Sequence, residues 1–238
     1  MSRRVGLKPE PDDKRAQALL AAQDKARALF AEIERSGLIR AGLSESQVSR
    51  EIYKLSRDRY GAGRHWHKRI LRTGPNTVHP YQVDPEDRII AADDIVYLDL
   101  GPVFAEWEAD FGRTYVLGED PGKQEIRRQA EQAFREVKAH FLAHRDITGS
   151  DLYRFAVQTA ARMKRDFGNE HAGHLVGEFP HERIPNDRVS LYIHPKNHAP
   201  LRSHDNAGRQ RHWILEIHLV DRQRQYGAFV EELLTLGA

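Results

Sequence analysis

The chain has 238 residues, no cysteine, and 37 basic against 35 acidic residues, for a formal net charge of +2. That length holds one large domain or two small ones, and the missing cysteines exclude a disulfide framework, a thiolate metal site and a cysteine nucleophile. The charges are interspersed and aromatics make up only 8%, so no nucleic-acid partner is expected.

Residues 1–12 carry basic side chains with no apolar run behind them. They are read as a flexible N-terminal segment ahead of a single domain over 13–238. No stretch reaches the length of a membrane span, which predicts a cytoplasmic protein with no membrane partner. From 13 to 35, Leu19, Ala22, Ala26, Leu29, Phe30 and Ile33 recur at helical steps, the mark of an amphipathic helix. A second helix follows Leu43, where Ser44 and Gln47 fit a capping box and Val48, Ile52 and Leu55 keep the period. The tract 61–81 is rich in glycine, histidine and proline and contains His65, His67 and His79. On a strand, His65 and His67 would share a face and could pair on a metal.

A β-branched strand then ends in Asp99, and Asp110 follows eleven residues later. Residues 122–146 place Ile126, Ala130, Ala133, Phe134, Val137, Phe141 and Leu142 on one stripe. Ser150 is expected to cap a further helix, with Leu152, Phe155, Ala156, Thr159 and Met163 inward and Gly168 as its stop. Gly173 and Gly177 bracket His174, with His171 three residues before it. The stretch Pro185 to His212 reads as a long loop that either shapes access or an interface or is simply solvated. Its arginines could receive a substrate carboxylate. Last come Ile214 to Val220 and Tyr226 to Glu231, joined by a tight turn, with Glu216 and Glu231 fifteen residues apart.

Both separations are odd, so in symmetric hairpins the two acids of each pair sit directly opposite one another. Carboxylates about 5 Å apart repel, and burial sharpens the cost, so the pairs call for a cation. Acids alone suit magnesium or calcium; an added imidazole shifts the preference to manganese, iron, cobalt or zinc. Helix pairs alternating with hairpins predict an α+β layer design, with helices over one sheet face and the acids on the other.

In this order, Asp99, Asp110, His174, Glu216 and Glu231 resemble the five metal ligands of the pita-bread metallopeptidases, the family of methionine aminopeptidase, aminopeptidase P, prolidase and creatinase. The marks are the Asp-to-Asp step, Gly173-His174, the seven residues from His174 to His181, and the His-Glu-x-x-Pro run from His181 through Glu182 to Pro185. The resemblance covers roughly residues 15 to 236. It implies a pita-bread fold, an antiparallel curved sheet that holds the metals with helices on its outer face. It also implies two divalent cations per chain, manganese first, with cobalt, iron or zinc as alternatives. Asp110 and Glu231 would bridge them, Asp99 would complete one sphere, and His174 and Glu216 the other, with a water between the cations attacking an amide. Glu216 would be the proton shuttle, His181 would stabilise the intermediate, and His79, twenty residues before Asp99, resembles the histidine that contacts substrate near the scissile bond.

Those five ligands are complete without His65 and His67, which are read as structural, and His171 is read as a supporting residue. Glu232 competes with Glu231 as the last ligand but would point to the other face. Ile217 stands where relatives usually carry proline, and the step from Glu216 to Glu231 is short for the family, which leaves the substrate pocket open. The run Asp110-Phe111-Gly112-Arg113-Thr114 resembles the aminopeptidase P and prolidase side, although the extra N-terminal domain usual there is not expected. Removal of an N-terminal residue from a peptide, of Xaa-Pro aminopeptidase or dipeptidase type, is therefore the leading expectation. Methionine aminopeptidase, hydrolysis of a non-peptide C–N bond, and a non-catalytic pita-bread binding module are the alternatives. The expected partner is a peptide or small amide, and a homodimer is compatible with all of these.

Overall fold

Residues 12–181 and 189–237 are described by the computed structural model of the chain. Helix α1 (Asp12–Arg35) turns Leu19, Ala22, Ala26, Leu29, Phe30 and Ile33 inward. Helix α2 (Glu45–Tyr60) begins at the Ser44 and Gln47 capping box and ends at Gly61 in the left-handed region. After β1 (Ile70–Thr73) and a 3-10 turn over Gly74–Val78 come β2 (Ile95–Leu100), a small hairpin of β3 (Val103–Phe104) and β4 (Trp107–Glu108), and β5 (Phe111–Val116). Helices α3 (Pro121–Ala143) and α4 (Gly149–Arg162) follow, then β6 (Asp166–Phe167), β7 (Leu175–Val176), β8 (His212–Asp221) and β9 (Tyr226–Leu233).

Among the described residues, the main sheet is antiparallel throughout and runs β1-β2-β5-β9-β8-β6, with β7 paired to β8. Its side chains alternate faces with period two. One face carries Leu98, Val230, Ile217 and Leu219 into helix-covered cores; the opposite face carries the acids. Two cores form on the helical side. The first gathers α1, α2, β2 and Phe111, the second α3, α4, β8 and β9. The α+β design is therefore as expected.

Several local expectations are corrected. Leu142 is 49% exposed rather than part of the α3 stripe, which closes at Phe141. Thr148, not Ser150, caps α4, its side chain accepting from the Asp151 amide. That helix stops at Arg162 rather than Gly168, because Lys164 turns to a positive φ of 58°. Gly168 instead lies against the His218 ring, where a Cβ would sit 2.3 Å from Nδ1. In the long segment after residue 188, Ile193 and Leu201 are fully buried in the second core, while Pro195, Lys196, residues 198–200 and residues 206–208 are exposed.

The first acid pair also departs from symmetric pairing. Asp99 stands opposite Gly112, not Asp110. The intervening residues close their own hairpin, with Val103 opposite Glu108, and β5 starts only at Phe111. The second pair is as expected, since Glu216 stands directly opposite Glu231. Across four strands the register gives one row, Asp99, Gly112, Glu231 and Glu216.

Candidate metal centre

Directly opposed residues share a sheet face, so this row sets three carboxylates side by side with a gap at the glycine. The gap is forced, because a Cβ at Gly112 would lie 2.5 Å from Phe229 Cε1 and 3.0 Å from Glu231 Cβ. Asp110, two residues before Gly112, enters from the same side. His174 reaches the group from the loop before β7, where Gly173 takes a φ of 137° and passes so close to the Ile214 carbonyl that a Cβ would overlap it. Asp99, Asp110, His174, Glu216 and Glu231 are all buried.

Asp110 is the centre of the arrangement. Its Oδ2 lies 3.1 Å from His174 Nε2, and its Oδ1 lies 3.2 Å from His67 Nε2. Two sets of donors converge within 4.8 Å, His67 with Asp99 and Asp110, and Asp110 with His174 and Glu231. Glu216 Oε2 accepts from Asn169 Nδ2 at 3.0 Å. Its Oε1 is 2.8 Å from His171 Nδ1, an ion-pair distance, though the ring N–H is not aimed along it. Glu232 turns to the other face and pairs with Arg27 and Arg113.

The electrostatics reflect crowding. Burial, opposed by His67 and reinforced by Asp110, raises the Asp99 carboxyl to about 7. Burial, then Asp110 and Asp99, pushes Glu231 well above the usual carboxylate range. Asp110 falls to about 2, because His67 and His174 more than offset its burial. Glu216 is lowered, its burial outweighed by His171. Burial resists charge on His67, yet Asp110 and Asp99 raise it to about 9. His174 also rises well above its ordinary value, since Asp110 and Glu231 overcome its burial. The protons that balance this cluster are those a divalent cation displaces on binding. Asp99 Oδ1 and Glu231 Oε2 are buried with no hydrogen-bond partner. Buried carboxylate oxygens without partners are costly, and two cations beside a shared Asp110 would satisfy both. The donor set fits a dinuclear site.

His181 lies at the rim. Its Nδ1 donates to Glu108 Oε2 at 2.7 Å, and its backbone amide donates to Glu108 Oε1 at 3.1 Å. Glu108 also accepts from the Gly177 amide, so one buried carboxylate from β4 shapes the whole loop. A cleft of about 370 Å³ opens beside it, lined by Val176, Phe179, His181, Arg209 and Arg15 among others. Glu182 and Pro185, named with His181 in the sequence motif, lie outside the described residues.

His79 follows the 3-10 turn over Gly74–Val78. Its carbonyl accepts from Arg72 and from the Tyr97 hydroxyl, and among the described residues no hydrogen bond or ring contact joins its imidazole to the acids. Two described arginines of the long segment are engaged within the fold: Arg202 donates to the carbonyls of Phe141, His144 and Arg145, and Arg209 pairs with Asp205. His65 is half-buried, bridges through its backbone to Pro102, and is in neither of the two donor groups.

Sequence reasoning missed His67, Glu108, Asn169 and Gly112. The two histidines at 65 and 67 were the available signal, since their spacing already offered metal donors; Glu108 and Asn169 carried none.

Comparison with known proteins adds the lineage. The profile of metallopeptidase family M24 matches residues 17–209. Among solved structures, a prolidase from Thermococcus sibiricus superposes with a TM-score of 0.75 at 20% identity, over 95% of this chain and 60% of that one. An X-Pro aminopeptidase from Thermotoga maritima gives 0.75 at 19%, over 96% and 62%. A methionine aminopeptidase from Thermotoga maritima gives 0.67 at 16%, over 94% and 97%. The chain thus spans about three fifths of the prolidase and of the X-Pro aminopeptidase. At these identities the likeness is one of fold. No curated protein matches the sequence.

Proposed function

This chain belongs to metallopeptidase family M24, and from that premise we propose that it removes the N-terminal residue from peptides, of Xaa-Pro aminopeptidase or dipeptidase type. The observation that carries the reading is the pair of buried carboxylate oxygens without a hydrogen-bond partner, Asp99 Oδ1 and Glu231 Oε2, on either side of Gly112. Asp99, Asp110, His174, Glu216 and Glu231 would hold two divalent cations, manganese in first place. Bound there, such a pair supplies a Lewis acid and a water acidified toward neutral pH.

The chain's own groups do the remaining work. Glu216, held by Asn169 and His171, is positioned to take a proton at one carboxylate oxygen and return it to the leaving amine. His181 gives Nδ1–H to Glu108, and its Nε2 can donate to the substrate carbonyl when the ring carries a proton on both nitrogens, an imidazolium paired with the Glu108 carboxylate. His79 is retained as a substrate-side residue near Tyr97. Tyr97, Phe229 and His218 pack as a buried aromatic cluster one row from the acids, with Tyr97 and Phe229 centroids 5.2 Å apart, and support the strands that carry them. The proline-directed choice draws on the solved neighbours described as prolidase and X-Pro aminopeptidase.

The test is a peptide panel of Xaa-Pro dipeptides, Xaa-Pro-Yaa tripeptides and Met-Ala-Ser, read by mass spectrometry with manganese-loaded and chelated protein. Metal-dependent loss of one residue from the proline peptides is the expected result. Loss of Met alone would move the chain to the methionine aminopeptidase branch, and no cleavage with two cations bound would leave a non-peptide C–N bond or a binding role.

A further inference from the structure

The imidazole of His67 repeats, on the other side of Asp110, each contact made by His174. In His174, Nδ1 donates to the carbonyl of the next residue, Leu175, at 2.8 Å, and Nε2 faces Asp110 Oδ2 at 3.1 Å and Glu231 Oε1 at 3.7 Å. In His67, Nδ1 donates to the carbonyl of the next residue, Lys68, at 2.6 Å, and Nε2 faces Asp110 Oδ1 at 3.2 Å and Asp99 Oδ1 at 3.4 Å. A carbonyl can only accept, so in the neutral ring the proton resides on Nδ1 and the lone pair of Nε2 points at the carboxylates. A backbone carbonyl on the far nitrogen is the usual support of a metal-binding imidazole.

We infer that His67 is a sixth metal ligand, binding through Nε2 the cation held by Asp99, so that the centre has one imidazole for each of its two metals. This rests on the dinuclear reading above.

The spacing is that of donors on one ion. Two ligands each about 2.1 Å from a cation lie about 3.0 Å apart at right angles and about 3.4 Å apart at the tetrahedral angle. The two separations from Nε2, 3.2 and 3.4 Å, lie within that range. Asp99 Oδ1, the oxygen facing Nε2, is buried and has no hydrogen-bond partner, and Asp99 is only 9% exposed.

The fold also makes room for this ring. A Cβ at Gly101 would lie 2.2 Å from His67 Cδ2, 2.4 Å from its Nε2 and 2.4 Å from Trp66 Nε1. Trp66 is itself fixed, its Nε1 donating to the Ala109 carbonyl at 3.2 Å, and it packs edge-on against both His67 and His174 with centroids 4.5 and 4.9 Å away. One indole therefore sets the orientation of both imidazoles.

The test reads metal content and metal environment. Wild-type protein, His67→Ala and Gly101→Ala are loaded with cobalt, dialysed and assayed by plasma mass spectrometry, and cobalt X-ray absorption counts the imidazoles per metal. The expected result is two cations per wild-type chain with an average of one imidazole each. His67→Ala should retain one cation and bind the second tenfold or more weakly, and Gly101→Ala, which keeps the histidine but displaces it, should follow. Two tightly held cations in His67→Ala, with the imidazole count unchanged from wild type, would overturn the assignment and leave His67 as an ion-pair partner of Asp110. If the variants do not fold, the wild-type count decides alone: one imidazole per two metals overturns the inference. A wild-type chain that binds no cation would overturn the dinuclear reading and His67 with it.

Discussion

A methyl group at position 112 would press on Phe229 Cε1 at 2.5 Å and on Glu231 Cβ at 3.0 Å, so the missing side chain there helps shape the candidate metal centre. Gly112→Ala should displace Glu231 and strain β9. Overpacking of this kind costs about 1–3 kcal/mol, and the expected outcome is a lower melting temperature together with cation binding weakened at least tenfold, measured by calorimetric titration. Glu108 acts through another residue. It holds the His181 ring and two loop amides, so Glu108→Gln should leave cation content intact while kcat falls by one to two orders of magnitude with KM little changed. A parallel fall in cation content would show that Glu108 serves the fold rather than His181.

Among elements, β8 shows how one strand serves two tasks. Glu216 and His218 face the acids, while Leu215, Ile217 and Leu219 alternate into the core against α3 and α4. Ile217, next to Glu216 in the chain, is fully buried on the helical side, away from the acids. Ile217→Ala should therefore destabilise the chain by about 2–5 kcal/mol in denaturant unfolding, while folded protein keeps its cation stoichiometry. A loss of cations at full stability would contradict this division of the strand.

Elements were readable from the chain where the signal is local: the stripe of α1, the Ser44 capping box, the opposition of Glu216 and Glu231. The candidate ligands were readable because aspartate, histidine and glutamate keep short, characteristic spacings. What escaped depends on contacts between distant segments. His67 meets Asp110 across 43 residues, Asn169 meets Glu216 across 47, and His181 meets Glu108 across 73. The error at Asp99 was of another kind, since the parity was right but the β3–β4 hairpin shifted the register by two.

At the scale of the whole molecule, acid sensitivity follows from a buried neutral histidine. His212 is 2% exposed, and burial, then Arg15, lowers it to about 4 from its ordinary 6.5. The unfolded chain takes up the proton first as pH falls, so the stability His212 contributes is complete above pH 6.5 and is lost progressively down to about 4. Comparing wild type with His212→Gln in denaturant at a series of pH values should show a slope shallower by up to one proton in that window for the variant. Equal slopes would mean that His212 does not titrate with unfolding.

The row Asp99, Gly112, Glu231, Glu216 crosses from one core to the other. His67, Asp99 and Asp110 belong to the half built on α1 and α2; His174, Glu216 and Glu231 belong to the half built on α3 and α4. Neither half owns all the proposed ligands, so cations bound there would add to the β5–β9 pairing in coupling the two packing units into one cooperative body. Scanning calorimetry should then show a single sharp unfolding peak for the loaded protein and a broadened or split one after chelation. In such a chain, cation affinity is also a gauge of assembly: a cavity opened in either core, far from any ligand, should register as weaker binding at the seam.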